Sequence, residues 1–239
     1  IALLLGGAKP EMLVSGIVGL LFVSCLLWLS ARQGLAPILP VILCAFAAFC
    51  TYAISAFIPL TSHFVVILAG IVLLLPGFTI TIAMIELATG NLLAGTGRLA
   101  GAFILMLMMG AGVAIGTKFG MDWIPFQPLS SLVKLPDWTI WPCIALLGMT
   151  LMVFLQAPLR AVHVMVGACL LAFAVSSTVA AWLGPVAGAF TGAFSVAIAG
   201  HLYQRLSGEP GILIQIPGLI TLVPGSVGFK GLHALMEQD

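Results

Sequence analysis

Charge is what this sequence has least of. Eight Lys or Arg and seven Asp or Glu make up 6% of its 239 residues, while 62% are hydrophobic. Soluble globular chains carry roughly 25% charged residues. A chain this poor in charge cannot cover a surface that faces water, so its main solvent is expected to be lipid. The net charge of +1 excludes the basic footprint of a nucleic-acid binder. Metal-ligand spacing is missing too. Cys25, Cys44, Cys50, Cys143 and Cys169 lie in apolar runs without a C-x-x-C pair and read as small hydrophobes. His63, His163, His201 and His233 are scattered, with no pair at i, i+4. Neither a metal nor a cofactor is expected. There is no Walker A loop. The nearest approach to a serine-protease nucleophile is Pro224-Gly225-Ser226-Val227-Gly228, which lacks the pattern. No pair of acids suits phosphotransfer, so an enzyme is not expected.

What is present is long charge-free sequence. A membrane-crossing helix needs about 20 mostly apolar residues. Met12–Ala31, Leu99–Thr117 and Trp138–Leu159 each fit one helix. Gln33–Ile85 is long enough for two, with a break near Pro59; Ala161–Gln204 fits two, broken near Gly184 and Pro185. Gly211–Phe229 fits a short helix, and Ile1–Gly6 looks like the tail of another. The chain does not begin with Met, and no basic region precedes its first apolar run. That start is not a signal peptide. It reads as a fragment or processed chain whose N-terminus lies upstream.

The sequence matches itself at an offset of 148 residues. Pro10 falls on Pro158, Val18-Gly19 on Val166-Gly167, Leu35 and Pro37 on Leu183 and Pro185, and Ala45-Phe46 on Ala193-Phe194. Gly70-x3-Leu74-x-Pro76-Gly77 falls on Gly218-x3-Leu222-x-Pro224-Gly225. Apolar matches are cheap in such sequences, but matched Pro and Gly each impose a backbone. The expected architecture is an all-α polytopic bundle of two homologous five-helix halves with Pro-Gly-broken helices. Residues 1–118 form the first half, 119–138 a linker loop, and 139–239 the second, its final helix absent. An odd number of crossings per half makes these inverted repeats, as in many secondary transporters. That count requires residues 78–97 to lie along the interface; if they span, the repeats are parallel. The five-crossing layout puts Arg32, Arg98, Arg160 and Arg205 on one side and Lys9, Lys118, Lys134 and Lys230 on the other. The positive-inside rule therefore gives no orientation.

The two Pro-Gly elements are the best pointers to chemistry. Short Gly/Pro-interrupted segments at matching places in two halves mark transport sites, because unpaired backbone must face protein or a wet cavity. The competing reading has Pro76-Gly77 and Pro224-Gly225 simply ending helices at the membrane surface. Polar residues follow each break: Thr79, Thr81, Glu86, Asn91 and Arg98 after the first, Ser226, Lys230 and His233 after the second. Glu86, set in apolar sequence, would relay a proton or bind an ammonium group if buried. The alternative places it on the polar side of an interfacial helix with Gly90, Asn91, Gly97 and Arg98. Lys230 is a carboxylate partner or a snorkelling residue. Gly184, Gly188 and Gly192, and likewise Gly97 and Gly101, have the spacing that lets helices approach closely.

These same stretches resemble the threonine/serine exporter family of bacterial inner-membrane proteins. Ile1-Ala-Leu-Leu-Leu-Gly-Gly7 is similar to the end of its first helix. Leu73-Leu-Leu-Pro-Gly77, with Glu86-Leu-Ala-Thr-Gly-Asn-Leu-Leu-Ala-Gly-Thr-Gly-Arg98, is similar to its first Pro-Gly element. Ile216-Pro-Gly-Leu-Ile-Thr-Leu-Val-Pro-Gly225, with Ser226, Phe229, Lys230 and Gly231, is similar to its second. The resemblance implies a ten-helix carrier in the cytoplasmic (inner) membrane. It implies proton-driven export of threonine and serine, or of a dicarboxylate such as succinate in some relatives. It also implies a cytoplasmic domain before the first helix, which this chain lacks; a third reading is therefore a non-transporting subunit of a two-chain complex. Departures from the family are Asn91 where many relatives have Asp, Ile82 where they have a polar residue, and Phe229 and Lys230 where they often have Tyr and Arg. The loss of an acid at Asn91 leaves Glu86 as the proton-coupling candidate.

Overall fold

The computed structural model describes residues 2, 3, 5, 7–30, 34, 37–60, 62–123 and 136–222. Among them there is no strand. They divide into two compact units on either side of residues 124–135. The N-terminal unit contains α1 (Lys9–Ser30), α2 (Leu39–Ser55), α3 (His63–Gly70), α4 (Gly77–Ala88) and α5 (Leu92–Trp123). The C-terminal unit contains α6 (Ile140–Phe154), α7 (Val162–Leu183), α8 (Pro185–Ser207) and α9 (Ile212–Thr221). Pro224, Gly225, Ser226 and Lys230, and with them the second Pro-Gly element, lie outside the described residues.

Among the described residues, four helical segments are long and apolar enough to cross a membrane: Lys9–Ser30, Leu92–Trp123, Leu159–Leu183 and Pro185–Ser207. A fifth arises if α3 and the segment Val72–Ala88, bent at 52° to each other, count as one span. Their outer faces carry Leu20, Leu27, Leu93, Trp182 and Phe190, all largely exposed. Such a surface suits hydrocarbon and not water. The chain is a multi-pass helical membrane protein.

Local chemistry sets the helix ends. Pro40 and Pro185 stand in the first turns of α2 and α8, where a missing N–H is harmless. Gly184 precedes Pro185 with φ +89°, a conformation that suits glycine, so the expected break between α7 and α8 falls there. Ser62 caps α3, its hydroxyl accepting from the Val65 N–H at 3.4 Å. After Gly70 the chain tightens into a 3-10 turn over Val72–Leu74 before Pro76 opens α4. Proline there has no N–H to give and crowds the carbonyl four residues back, so one straight helix cannot run through.

Residues 78–97 do not form one element. α4 ends at Ala88, Gly90 turns the chain with φ +86°, and α5 starts at Leu92. The Gly90 N–H donates to the Leu87 carbonyl at 3.1 Å and the Asn91 N–H to the Glu86 carbonyl at 2.8 Å, which closes the end of α4. α4 and α5 then pack against each other as a helical hairpin. One continuous helix over this stretch, whether spanning or interfacial, is thus split, because a left-handed glycine stops it midway.

Small residues set the closest approaches. In the N-terminal unit α5 lies on α2. A Cβ at Gly112 or Gly116 would collide with the carbonyl oxygens of Val41 and Ala45, and one at Gly120 would come 2.7 Å from Tyr52. In the C-terminal unit Gly188 meets the Ser176 carbonyl of α7, and Gly192 lies on Ala172 and Ser176. The packing expected of Gly188 and Gly192 is therefore present. Gly97 and Gly101 have no neighbour within 4 Å among the described residues. In each unit three consecutive helices pack in the same pairs: α1 with α2 and α3, and α2 with α3; α7 with α8 and α9, and α8 with α9.

Candidate functional site

The first candidate site is the bend. Pro76 is buried and stands at the N-terminal end of α4, without a side-chain cap. The first N–H groups of α4, from Gly77 onward, have no partner within the helix. They point a partial positive charge toward the bend. Thr81 spends its hydroxyl on the Gly77 carbonyl at 2.9 Å. Thr79 is half-buried two residues into α4. Pro76, Gly77, Thr79 and Thr81 are therefore brought together at one end of α4.

Glu86 is not there. Nine residues along α4 at 1.5 Å each put it roughly 13 Å away. Its carboxylate accepts from Arg98 Nε of α5, at 2.9 Å to Oε1 and 3.0 Å to Oε2. The two side chains are 20% and 53% exposed, respectively, for Glu86 and Arg98. Asn91 sits in the exposed turn beside them, its amide 3.5 Å from Thr89 Oγ1. The sequence left Glu86 either with the break or on a polar side with Asn91 and Arg98; the structure ties it to Arg98 across the α4–α5 hairpin. A second exposed pair, Arg160 with Glu209 at 3.4 Å, lies in the C-terminal unit.

The buried polar groups lie elsewhere. Among the described residues, four polar or charged residues are buried: Glu11, Thr51, His63 and Thr221. Thr51 and Thr221 satisfy their hydroxyls on helix carbonyls, Ala47 at 2.9 Å and Pro217 at 2.8 Å. Glu11 is fully buried, and its Oε2 accepts from the Ala8 N–H at 3.0 Å. His63 opens α3 and is buried too. Its ring stacks on Tyr52, centroids 4.5 Å apart and planes at 17°. Three helix ends meet here: the start of α1, the end of α2 and the start of α3. Sequence reading passed over this cluster, because Glu11 and His63 are 52 positions apart and only the α1–α3 packing joins them. The one available signal was an acid opening a charge-free helix.

Known proteins then supply context. Residues 1–120 match the family model described as "Putative threonine/serine exporter". Residues 139–239 match the one described as "Threonine/Serine exporter, ThrE". A pheromone-regulated membrane protein 10 of Eremothecium gossypii is 27% identical over 170 residues, 67% of this chain and 22% of that protein. An uncharacterized protein of Schizosaccharomyces pombe is 23% identical over 239 residues, 95% of this chain and 28% of that one. The chain thus spans about a quarter of the length of these curated relatives. No solved structure matches.

Proposed function

The chain belongs to the threonine/serine exporter family, and from that premise we propose that it is a secondary carrier exporting a small amino acid, threonine or serine, across the cell membrane. The observation that carries the reading is the bent pair α3–α4 inside a bundle almost devoid of charge. The α4 N-terminus offers backbone N–H groups and positive dipole to the substrate carboxylate. Carbonyls released at the end of α3 suit an ammonium group. Pro224, Gly225, Ser226 and Lys230 are proposed as the matching element of the second half.

The internal repeat is part of this proposal. The shared pairing of α1–α3 and α7–α9 supports it. So does one crossing: Tyr52 meets His63 between α2 and α3, and their counterparts at the same offset, Gly200 and Gly211, meet between α8 and α9. Inverted orientation of the halves is the arrangement we favour, and impermeant labelling of single cysteines at loop positions of each half tests it.

A dicarboxylate cargo fits less well. It asks for two cationic or N–H sites; of its candidates Lys230, Arg98 and Arg160, the two arginines are each engaged by an acid and Lys230 lies outside the described residues. The test is threonine counterflow into liposomes containing the purified protein, with and without a proton gradient. Threonine flux that succinate does not inhibit supports the proposal. Inhibition by succinate, with no threonine flux, moves the cargo to dicarboxylates. No flux of either, with a second chain retained on co-purification, replaces the carrier with a membrane subunit.

A further inference from the structure

A hydroxyl inside a membrane bundle is normally tied to its own helix. Thr51, Thr191 and Thr221 each donate to a carbonyl four residues back, at 2.9, 2.9 and 2.8 Å. Thr81, in α4 itself, does the same to Gly77. Such a bond needs no partner from another helix and hides the hydroxyl from hydrocarbon. Thr79 is the exception at the bend. Among the described residues its hydroxyl has no hydrogen-bond partner.

The cause is the break. The carbonyl four residues before Thr79 belongs to Leu75, whose ψ of 123° turns it away from the axis of α4. The Pro76 carbonyl, three residues back, accepts from the Ile80 N–H at 2.9 Å. Thr117 on α5 and Ser176 on α7 are also unbonded among the described residues, but each stands inside an unbroken helix. There the carbonyls of Val113 and Ala172, four residues back, come within reach by a side-chain rotation. The stripe that carries Thr79 faces protein. Pro76, Thr79 and Ala83 recur at i, i+3 and i+7 along one side of the helix. Pro76 and Ala83 are buried, Ala83 completely, yet Thr79 between them is only half-buried. Phe78 and Ile85, on the opposite side of α4, are exposed. Thr79 thus presents an unspent donor and acceptor on the inner side of the bend.

We propose that Thr79 is the specificity-determining residue of the bend: its hydroxyl bonds the side-chain hydroxyl of a β-hydroxy amino acid and so separates threonine and serine from their deoxy analogues. The inference rests on the carrier reading above and names the group that selects its cargo. The N–H groups that open α4 meet every amino-acid carboxylate alike, so they bind without discriminating. Selection needs a group that reaches the substrate side chain. Apolar neighbours such as Leu74, Leu75 and Ile80 discriminate weakly against an added or missing hydroxyl. A hydroxyl in the wall rejects the deoxy analogue, because it is then left unpaired away from water.

The experiment is threonine counterflow by the whole chain in liposomes, with serine, alanine and α-aminobutyrate as competitors. α-Aminobutyrate is threonine without its hydroxyl, and alanine is serine without its own. Wild type should need at least about tenfold more of either deoxy compound for half-inhibition, which is ~1.4 kcal/mol. Thr79→Val keeps the shape and removes the hydroxyl. Its preference should fall to within about twofold, while Thr79→Ser keeps it. Thr117→Val and Ser176→Ala, which remove unbonded hydroxyls away from the bend, should also keep it. A preference that survives Thr79→Val, or that falls equally in Thr117→Val, overturns the proposal. Thermal stabilisation by added ligand in detergent reads the same preference without transport, and decides where Thr79→Val moves nothing. Threonine should raise the wild-type melting temperature more than α-aminobutyrate does, and the gap should close in Thr79→Val, or in Thr79→Ala if the valine variant does not fold. A gap that remains overturns the proposal. A wild type that shows the gap but moves no threonine counts against the carrier reading alone. One that moves threonine and takes α-aminobutyrate equally well overturns the proposal and leaves the carrier standing.

Discussion

The two units solve one packing problem in opposite ways. Where α2 crosses α3, the gap is filled by the Tyr52 and His63 rings. Where α8 crosses α9, the corresponding Gly200 and Gly211 leave no side chain, and a Cβ on Gly211 would lie 2.5 Å from the Gly200 carbonyl oxygen. Small residues give close backbone approach and dispersion, the usual glue between helices in lipid. Rings hold the helices apart and admit polar groups. The C-terminal unit buries Thr221 and a Cys169 thiol donating to the Pro217 carbonyl at 3.7 Å, but no charged group among its described residues. The N-terminal unit keeps an acid and an imidazole inside. The difference teaches that a helix crossing can be held without polar groups, so those present in one unit ask for a reason beyond packing.

The comparison breaks most sharply at its acid. Glu11→Ala strips the Ala8 N–H of its acceptor in a buried site and should lower stability by about 3 kcal/mol. Leu159→Ala, at the matching but exposed position, should change it by no more than about 0.5 kcal/mol. Thermal unfolding in detergent measures both, and equal effects would erase the distinction. Next comes the glycine crossing. Gly211→Ala forces a methyl into backbone that cannot yield and should cost about 1–3 kcal/mol in the same assay. A neutral result would mean that α8 and α9 are not held by close approach.

Smaller effects sharpen the contrast between the two acids of the N-terminal unit. Glu86→Gln removes a partly exposed ion pair with Arg98, worth less than about 1 kcal/mol. Gradient-driven threonine flux should survive it; its loss in a folded variant would give the coupling role to Glu86. A further contrast lies at two helix ends that use the same closure. Gly90 ends α4 with φ +86°, but Gln156 follows α6 with φ +52°. Gln156→Gly should stabilise by about 1 kcal/mol and Gly90→Ala should destabilise by a similar amount. A melting temperature that moves the same way in both variants would contradict this.

Much of the fold was open to reading because its cause is local. The break at Gly184-Pro185 follows from residues that cannot continue a helix, and it appears where expected. α5 runs from Leu92 to Trp123, longer than the charge-free Leu99–Thr117, because Arg98, Lys118 and Asp122 sit on exposed turns that a charge count excludes. The site was less legible. Pro76, Gly77, Thr79 and Thr81 are neighbours in sequence and remain so in space. Glu86 was drawn to the same group by sequence proximity, although a helix carries it to the far end of α4.

By itself, then, the sequence determined the membrane class, the break at Gly184-Pro185 and the family. Each follows from composition or from the backbone demands of single residues, and neither needs a partner far away in the chain. Only tertiary structure decided which polar groups are inside. Burial and electrostatic pairing depend on which helix faces meet, so the packing of α1 on α3 and of α4 on α5 left Glu11 and His63 buried and gave Glu86 to Arg98.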